Sequence, residues 1–264
     1  MWLYLIVGVL LLFLITPVLI IIPMAFSTSP FFVFPPPGVS AKWFNQFFGD
    51  SLWVESLTRS LEVAMLSTLV ATILGILGAL AVSRLSFKGK NLFMAVMLSP
   101  MLVPVIVVAI AVYRFFSEIH LVGSIPGLVL AHALLGLPVV FVTVLASLKG
   151  IDRNLELAAE GLGSTPVGVF FRITLPLIKP GILSGALFAF ITSMDEVVVT
   201  IFISGVATPT LPRVMWEQMR AQVDPTMAAA STLIIAATTI LFLVQWWFTN
   251  RQEAKNRLQL ENQQ

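Results

Sequence analysis

Six stretches, approximately Trp2–Met24, Leu61–Ser83, Asn91–Phe115, Ile125–Leu148, Gly181–Ser204 and Thr226–Thr249, are predominantly apolar and long. Each is long enough to cross roughly 30 Å of hydrocarbon, which takes about 20 residues of helix. Composition agrees. The chain is 58% hydrophobic and 11% charged, against roughly 45–50% and about 25% in a soluble domain. The expectation is an all-α, polytopic membrane protein of six helices, forming a single domain over residues 1–264. The first stretch lacks a basic leading region and an obvious small-residue cleavage site, so it is expected to remain as an uncleaved span.

Lysines and arginines set the orientation. With both termini inside, the inner side carries Arg84, Lys88, Lys90, Lys149, Arg153, Arg172, Lys179, Arg251, Lys255 and Arg257. The outer side carries Lys42, Arg59, Arg114, Arg213 and Arg220. Ten against five follows the positive-inside bias, and predicts cytoplasmic N- and C-termini with an inner tail of about 250–264. The basic residues are scattered between apolar runs, so membrane orientation accounts for them and no nucleic-acid partner is expected. The absence of cysteine excludes disulfides, cysteine-ligated zinc and thiol catalysis.

Outside, Pro30, Pro35, Pro36 and Pro37 break the start of the long Ser27–Ser60 segment. Trp43, Phe44, Phe47, Phe48 and Trp53 then suggest an interfacial helix at the membrane–water boundary. The second outer loop, Arg213 to Asp224, suggests a short amphipathic helix.

On the inner side a polar island, within a loop of about 149–180, interrupts the oil. Asp152 or Asn154 can cap a first helix. Leu155, Ala158, Ala159 and Leu162 fall on one narrow face, with Glu156, Leu157 and Glu160 beside them. Gly161 and Gly163 end the helix, Gly163 as the candidate left-handed residue. Thr165 and Pro166 restart it as N-cap and first helical residue, and a second helix runs through Phe170, Phe171 and Ile173 to a stop at Leu175-Pro176. Two alanines side by side permit close approach by a facing groove, and acidic neighbours suit a protein better than an anionic leaflet.

This island resembles the cytoplasmic loop of permease subunits of binding-protein-dependent ABC importers. Their pattern is Glu-Ala-Ala, three residues, Gly, nine residues, Ile, any residue, Leu-Pro. Ala158-Ala159, Gly163, Ile173 and Leu175-Pro176 keep those spacings, and Leu157 stands where the family has its Glu. The resemblance implies a type I importer permease fold in a bacterial inner membrane. It also implies a coupling helix, Leu155–Gly163, seated on a cytoplasmic ABC ATPase dimer, with a second permease and an extracytoplasmic solute-binding protein as further partners. There is no G-x-x-x-x-G-K-[ST] phosphate loop, so this chain is expected to bind no cofactor of its own, ATP and Mg belonging to the ATPase.

The fifth stretch carries Asp195 and Glu196, and ionised groups at membrane depth normally face a partner or a wet cavity. Thr192, Glu196, Thr200 and Ser204 recur every fourth residue, which on a continuous helix makes a polar stripe. The bland expectation pairs one acid with Arg59 or Arg114. The functional one is a negative lining for a cationic substrate. SMDEVVVTIFISG and the following TLPRVMWEQMRAQVDPTMAAASTLII resemble the spermidine/putrescine-type branch of the family, which implies a polyamine substrate and a non-identical second permease. Importers of amino-acid-like solutes, phosphonates or anions share much of this pattern.

Weaker signals complete the reading. Glu62 is either a snorkelling acid or a pathway residue. His132 is expected to hydrogen-bond between helices, Pro100, Pro104 and Pro138 to kink theirs, and Gly75, Gly78 and Ala79 to allow close helix contact. An intramembrane hydrolase using Ser184 or Ser204 with His132 is the alternative from another class. A channel or standalone carrier is a third, although no internal repeat is evident.

Overall fold

The structure is a computed structural model that describes residues 2–205, 208–221 and 224–261, with side chains as far as 247. The described residues form helices α1 (Trp2–Ala25), α2 (Lys42–Gly49), α3 (Ser51–Arg84), α4 (Lys90–Leu102), α5 (Val105–Glu118), α6 (Ile125–Lys149) and α7 (Arg153–Gly161). A short α8 (Pro166–Val169) and a π turn (Phe170–Thr174) lead into α9 (Leu175–Asp195), followed by α10 (Val198–Ile203), α11 (Leu211–Ala221) and α12 (Thr226–Glu261). Five helical runs are long and apolar enough to span a membrane, six if α4 and α5 count as one bent span. Of the expected inner tail, the side chains of Arg251, Lys255 and Arg257 and all of residues 262–264 lie outside the described residues.

Helices α3, α6 and α9 make the centre. Their buried seam holds Ala71, Ala79, Val140, Phe141, Val144, Ile178 and Ala189. Lipid tails are as apolar as leucine, so close backbone approach, more than the hydrophobic effect, holds such a bundle together. Gly75 shows the requirement: a Cβ there would lie 2.6 Å from Cγ1 of Val140 and 3.2 Å from the backbone nitrogen of Phe141. His132 is buried in the same bundle, Nδ1 2.8 Å from Ser193 Oγ and Nε2 3.0 Å from Thr200 Oγ1. Ser193 also accepts from Ser67 at 3.1 Å, so the interhelical role expected for His132 holds.

Local chemistry starts the long helices. Asp50 accepts from Leu52 N–H at 2.8 Å to open α3, and Ser124 accepts from Gly127 N–H at 3.1 Å to open α6. One end of the bundle is then tied across the chain: Leu211 N–H donates to Ser60 Oγ at 2.7 Å, and Gly123 N–H to Ile203 O at 2.8 Å. The opposite end carries the close of α3 and α6, the whole of α7 and the start of α9.

Four expectations are corrected here. The stretch Asn91–Phe115 is two helices meeting at 107°, because Val103, extended at ψ 136°, precedes Pro104, which donates no N–H and disfavours helix in the residue before it. There is no stop at Leu175-Pro176. Residues Pro166–Asp195 are one helical run, carried into Pro176 by the π turn, where Leu175 N–H reaches back five residues to Phe170 O. The wider turn makes room for a ring with no donor. The fifth span instead breaks at Glu196, whose ψ is 111°. Finally, Trp43, Phe47 and Trp53 are buried rather than spread along an interface: Phe47 and Trp53 pack with Leu211, Val214 and Met227, and Trp43 with Ala228 and Ala229. Trp43 Nε1–H also donates to Ser27 O at 2.7 Å.

Candidate functional site

The elbow built by α7, α8 and the π turn forms by the capping chemistry expected of its sequence. Asp152 accepts from Asn154 N–H at 3.0 Å, and Thr165 from Gly168 N–H at 3.2 Å. Gly163 sits at φ +86°. Around it Gly163 N–H donates to Glu160 O and Ser164 N–H to Ala159 O, the paired closing bonds of a helix that ends in a left-handed residue.

Glu156 is turned inward and almost fully buried. Its Oε1 accepts from Arg84 Nη2 at 2.9 Å and from Thr174 Oγ1 at 2.7 Å, while Arg84 Nε approaches Oε2 to 2.7 Å as an ion-pair contact. One carboxylate therefore ties α7 to the last residue of α3 and to the turn that begins α9. A carboxylate so occupied is not available to a basic group outside the chain. The remaining surface of α7 is bare: Leu155, Leu157, Ala158 and Glu160 are exposed, Ala159 is half-buried, and Leu162 is 89% exposed. Nothing lies within 4 Å of a Cβ added at Gly163. Between this elbow and α3 opens an apolar cavity of about 990 Å³, lined by Ile73, Leu77, Arg84, Val167 and Phe171 among others.

At the opposite end the expected polar stripe does not form, since the helix breaks at its second member. Thr192 Oγ1 bonds its own helix at Phe188 O, 2.8 Å away. Thr200 is fully buried against His132. Glu196 Oε1 accepts from Val199 N–H at 2.8 Å, starting α10. Glu62 pairs with Arg59 at 2.7 Å, and Arg114 with Glu118 at 3.2 Å, so neither arginine meets Asp195 or Glu196. Asp195, one of the five expected pathway residues, lines a cavity of about 330 Å³ between the end of α9 and helices α11 and α12. Ser204 is engaged by Arg213, and Ser184 by Gln245 Nε2 at 2.8 Å. Neither serine touches His132, whose ring nitrogens meet Ser193 and Thr200 instead, so the pair that the hydrolase reading names is not formed.

Sequence reasoning missed Arg84 and Thr174. Arg84 carries a faint signal, a lone cation closing a long apolar run. Nothing local marks Thr174 as the second anchor of Glu156.

Comparison with known proteins agrees with this architecture. The chain is 32% identical over 250 residues to the putrescine transport system permease protein PotI of Escherichia coli (strain K12), covering 92% of this chain and 89% of that protein. It is 33% identical over 196 residues to the spermidine/putrescine transport system permease protein PotC of Haemophilus influenzae, covering 74% and 76%. The fold matches a chain of a bacterial ABC transporter involved in the import of the acidic polysaccharide alginate, with a TM-score of 0.73 over 94% of both chains at 14% identity. The profile of one family covers residues 71–253, taking in the central bundle, the elbow and the Asp195 cavity. With five or six spans, an exposed elbow and these relatives, the chain belongs to the binding-protein-dependent transport system inner membrane components, transport subunits rather than enzymes.

Proposed function

We propose that this chain is one membrane subunit of an ATP-driven polyamine importer, coupled to a separate cytoplasmic ATPase through α7. The observation that carries the coupling is the division of labour on that helix. Glu156 fastens it to two spans, and Leu155, Ala158 and Leu162 are left exposed outside the cavity between elbow and α3. A lever needs both a rigid attachment and a free face. Ala158, Ala159, Glu160 and Gly163 belong to the surface a groove in the ATPase would cover.

The orientation that fits has both termini and the elbow in the cytoplasm of a bacterial cell. It sets Arg84, Lys149 and Arg153 inside, as the positive-inside bias favours. The substrate class rests on the putrescine and spermidine permeases matched over most of the chain. A related, non-identical second permease completes the pathway, and an extracytoplasmic binding protein delivers the solute. ATP and Mg act on the ATPase, and Asp195 is this chain's carboxylate in the pathway.

The test is reconstitution of the chain with its second permease, ATPase and binding protein in vesicles. ATP-dependent accumulation of labelled putrescine is expected. Accumulation without ATP, or assembly without any ATPase, contradicts the reading.

A further inference from the structure

We propose that the cavity between α3 and the elbow is a binding site for one membrane phospholipid with an amine-bearing, zwitterionic headgroup, its acyl chain lying along α3 and its phosphate held by Arg153. This goes beyond the importer reading and does not depend on which solute is carried.

The shape of the cavity points to hydrocarbon. At about 990 Å³ it is at the upper end of ligand pockets, which run from roughly 300 to 1,000 Å³. Its wall on α3 is Ile73, Leu77, Leu80 and Arg84, and on the elbow Val167 and Phe171. The four α3 residues recur at spacings of four, three and four, which places them on one stripe of the helix. From Ile73 to Arg84 that stripe rises about 16 Å, at roughly 1.5 Å per residue. One leaflet is about 15 Å deep, half of a hydrocarbon core of roughly 30 Å. The stripe is thus one leaflet deep, apolar until it reaches Arg84 at the end of α3. Ile73 and Leu77 are 50% and 58% exposed, so the cavity opens along the outward flank of this span. A hollow that runs so far from the charged end is reached by an acyl chain and not by a soluble ligand.

Charge selects the headgroup. Among the described residues the ion pairs are Arg59–Glu62, Arg84–Glu156, Arg114–Glu118 and Arg213–Glu217. Arg84 and Glu156 therefore neutralise each other within the lining. The other two charged lining residues, Arg153 and Glu160, are in none of these pairs. They stand seven positions apart on α7, two turns along one face. Arginine takes phosphate through two parallel N–H···O bonds, and Glu160 offers a carboxylate to an ammonium. A headgroup with phosphate and no amine meets Glu160 as a like charge. Glu160 is exposed and borders both this cavity and the outward face of α7.

The experiment uses the complete importer, purified in detergent and given phosphatidylethanolamine whose acyl chain carries a photoreactive diazirine. Illumination is expected to label residues within 73–85 or 167–175, saturating at one lipid per copy of this chain. A phosphatidylglycerol probe with the same chains is expected to label them about fivefold less, since it lacks the ammonium that meets Glu160. Arg153→Ala removes the phosphate partner, and Leu77→Trp fills an exposed position of the wall. Each is expected to lower labelling about fivefold, the scale of one lost charge-assisted hydrogen bond or more, while subunit composition and melting temperature stay as in wild type. Equal labelling by the two probes overturns the headgroup assignment. Unchanged labelling in both variants overturns the site. No labelling of the lining, the result expected if the second permease covers it, overturns the lipid as occupant. Putrescine uptake is measured on the same preparation, so the importer reading stands or falls separately.

Discussion

Arg84, the last residue of α3, and Glu156, in the middle of α7, are joined by a guanidinium–carboxylate pair with contacts of 2.7 and 2.9 Å, across 72 positions of sequence. Thr174 completes the joint at 2.7 Å. A push on α7 therefore reaches α3 and the start of α9 together, and these are two of the three helices that form the central seam. Removing one partner of a buried pair leaves an uncompensated charge, at a cost of about 3–5 kcal/mol when burial is complete. The pair here keeps some solvent contact, with side-chain exposures of 21% and 11%, so the loss is smaller. Arg84→Ala is expected to lower the melting temperature of the detergent-purified protein and to reduce uptake more than Glu156→Gln, which retains an acceptor for Thr174. The double exchange Arg84→Glu with Glu156→Arg should recover part of both, and thermal melts with transport assays check it.

Gly163 tests the free face of α7. Its φ of +86° costs a side-chain-bearing residue about 1–2 kcal/mol, with Asn among the tolerated exceptions. Among the described residues nothing lies within 4 Å of a Cβ placed there. Gly163→Trp is expected to insert and fold but to lose transport, and Gly163→Asn to keep most of it. Comparing membrane abundance with uptake for both variants separates folding from coupling.

The elbow was the most legible part of the sequence. Its caps and its terminating glycine depend on neighbours within a few residues, and Asp152, Thr165 and Gly163 all do what their types and order suggest. The spans were legible for the same reason, as apolar length needs no partner. What stayed hidden depends on the third dimension. That Glu156 faces Arg84 follows from how α3 and α9 cross, and the break at Glu196 follows from α10 packing back on α5 and α6. The every-fourth-residue pattern from Thr192 to Ser204 assumed a helix that does not continue. Pro104 was visible as a kink, but its consequence was a bend of 107°.

Glu196 serves backbone rather than charge. Replacing a capping side chain by alanine costs about 1 kcal/mol. Glu196→Gln keeps an oxygen for Val199 N–H and is expected to transport like wild type, whereas Glu196→Ala should lower thermal stability and transport. Uptake by Glu196→Gln reduced as far as by Asp195→Asn would show that both acids act through charge.

The central seam makes a prediction about packing alone. Overfilling a packed core costs about 1–3 kcal/mol. With Val140 2.6 Å from the position of an added Cβ, Gly75→Val is expected to lower the melting temperature clearly. Gly8→Val in α1, with nothing within 4 Å, should not. Parallel melts of the two variants check this.

The most direct measurement places a photo-crosslinking residue at Leu162, the barest position of the elbow, in the assembled importer. Illumination should give an adduct with the ATPase subunit, its yield changing when ATP binds. An adduct with lipid alone, or labelling of that position by a membrane-impermeant reagent applied from outside the cell, would contradict the account.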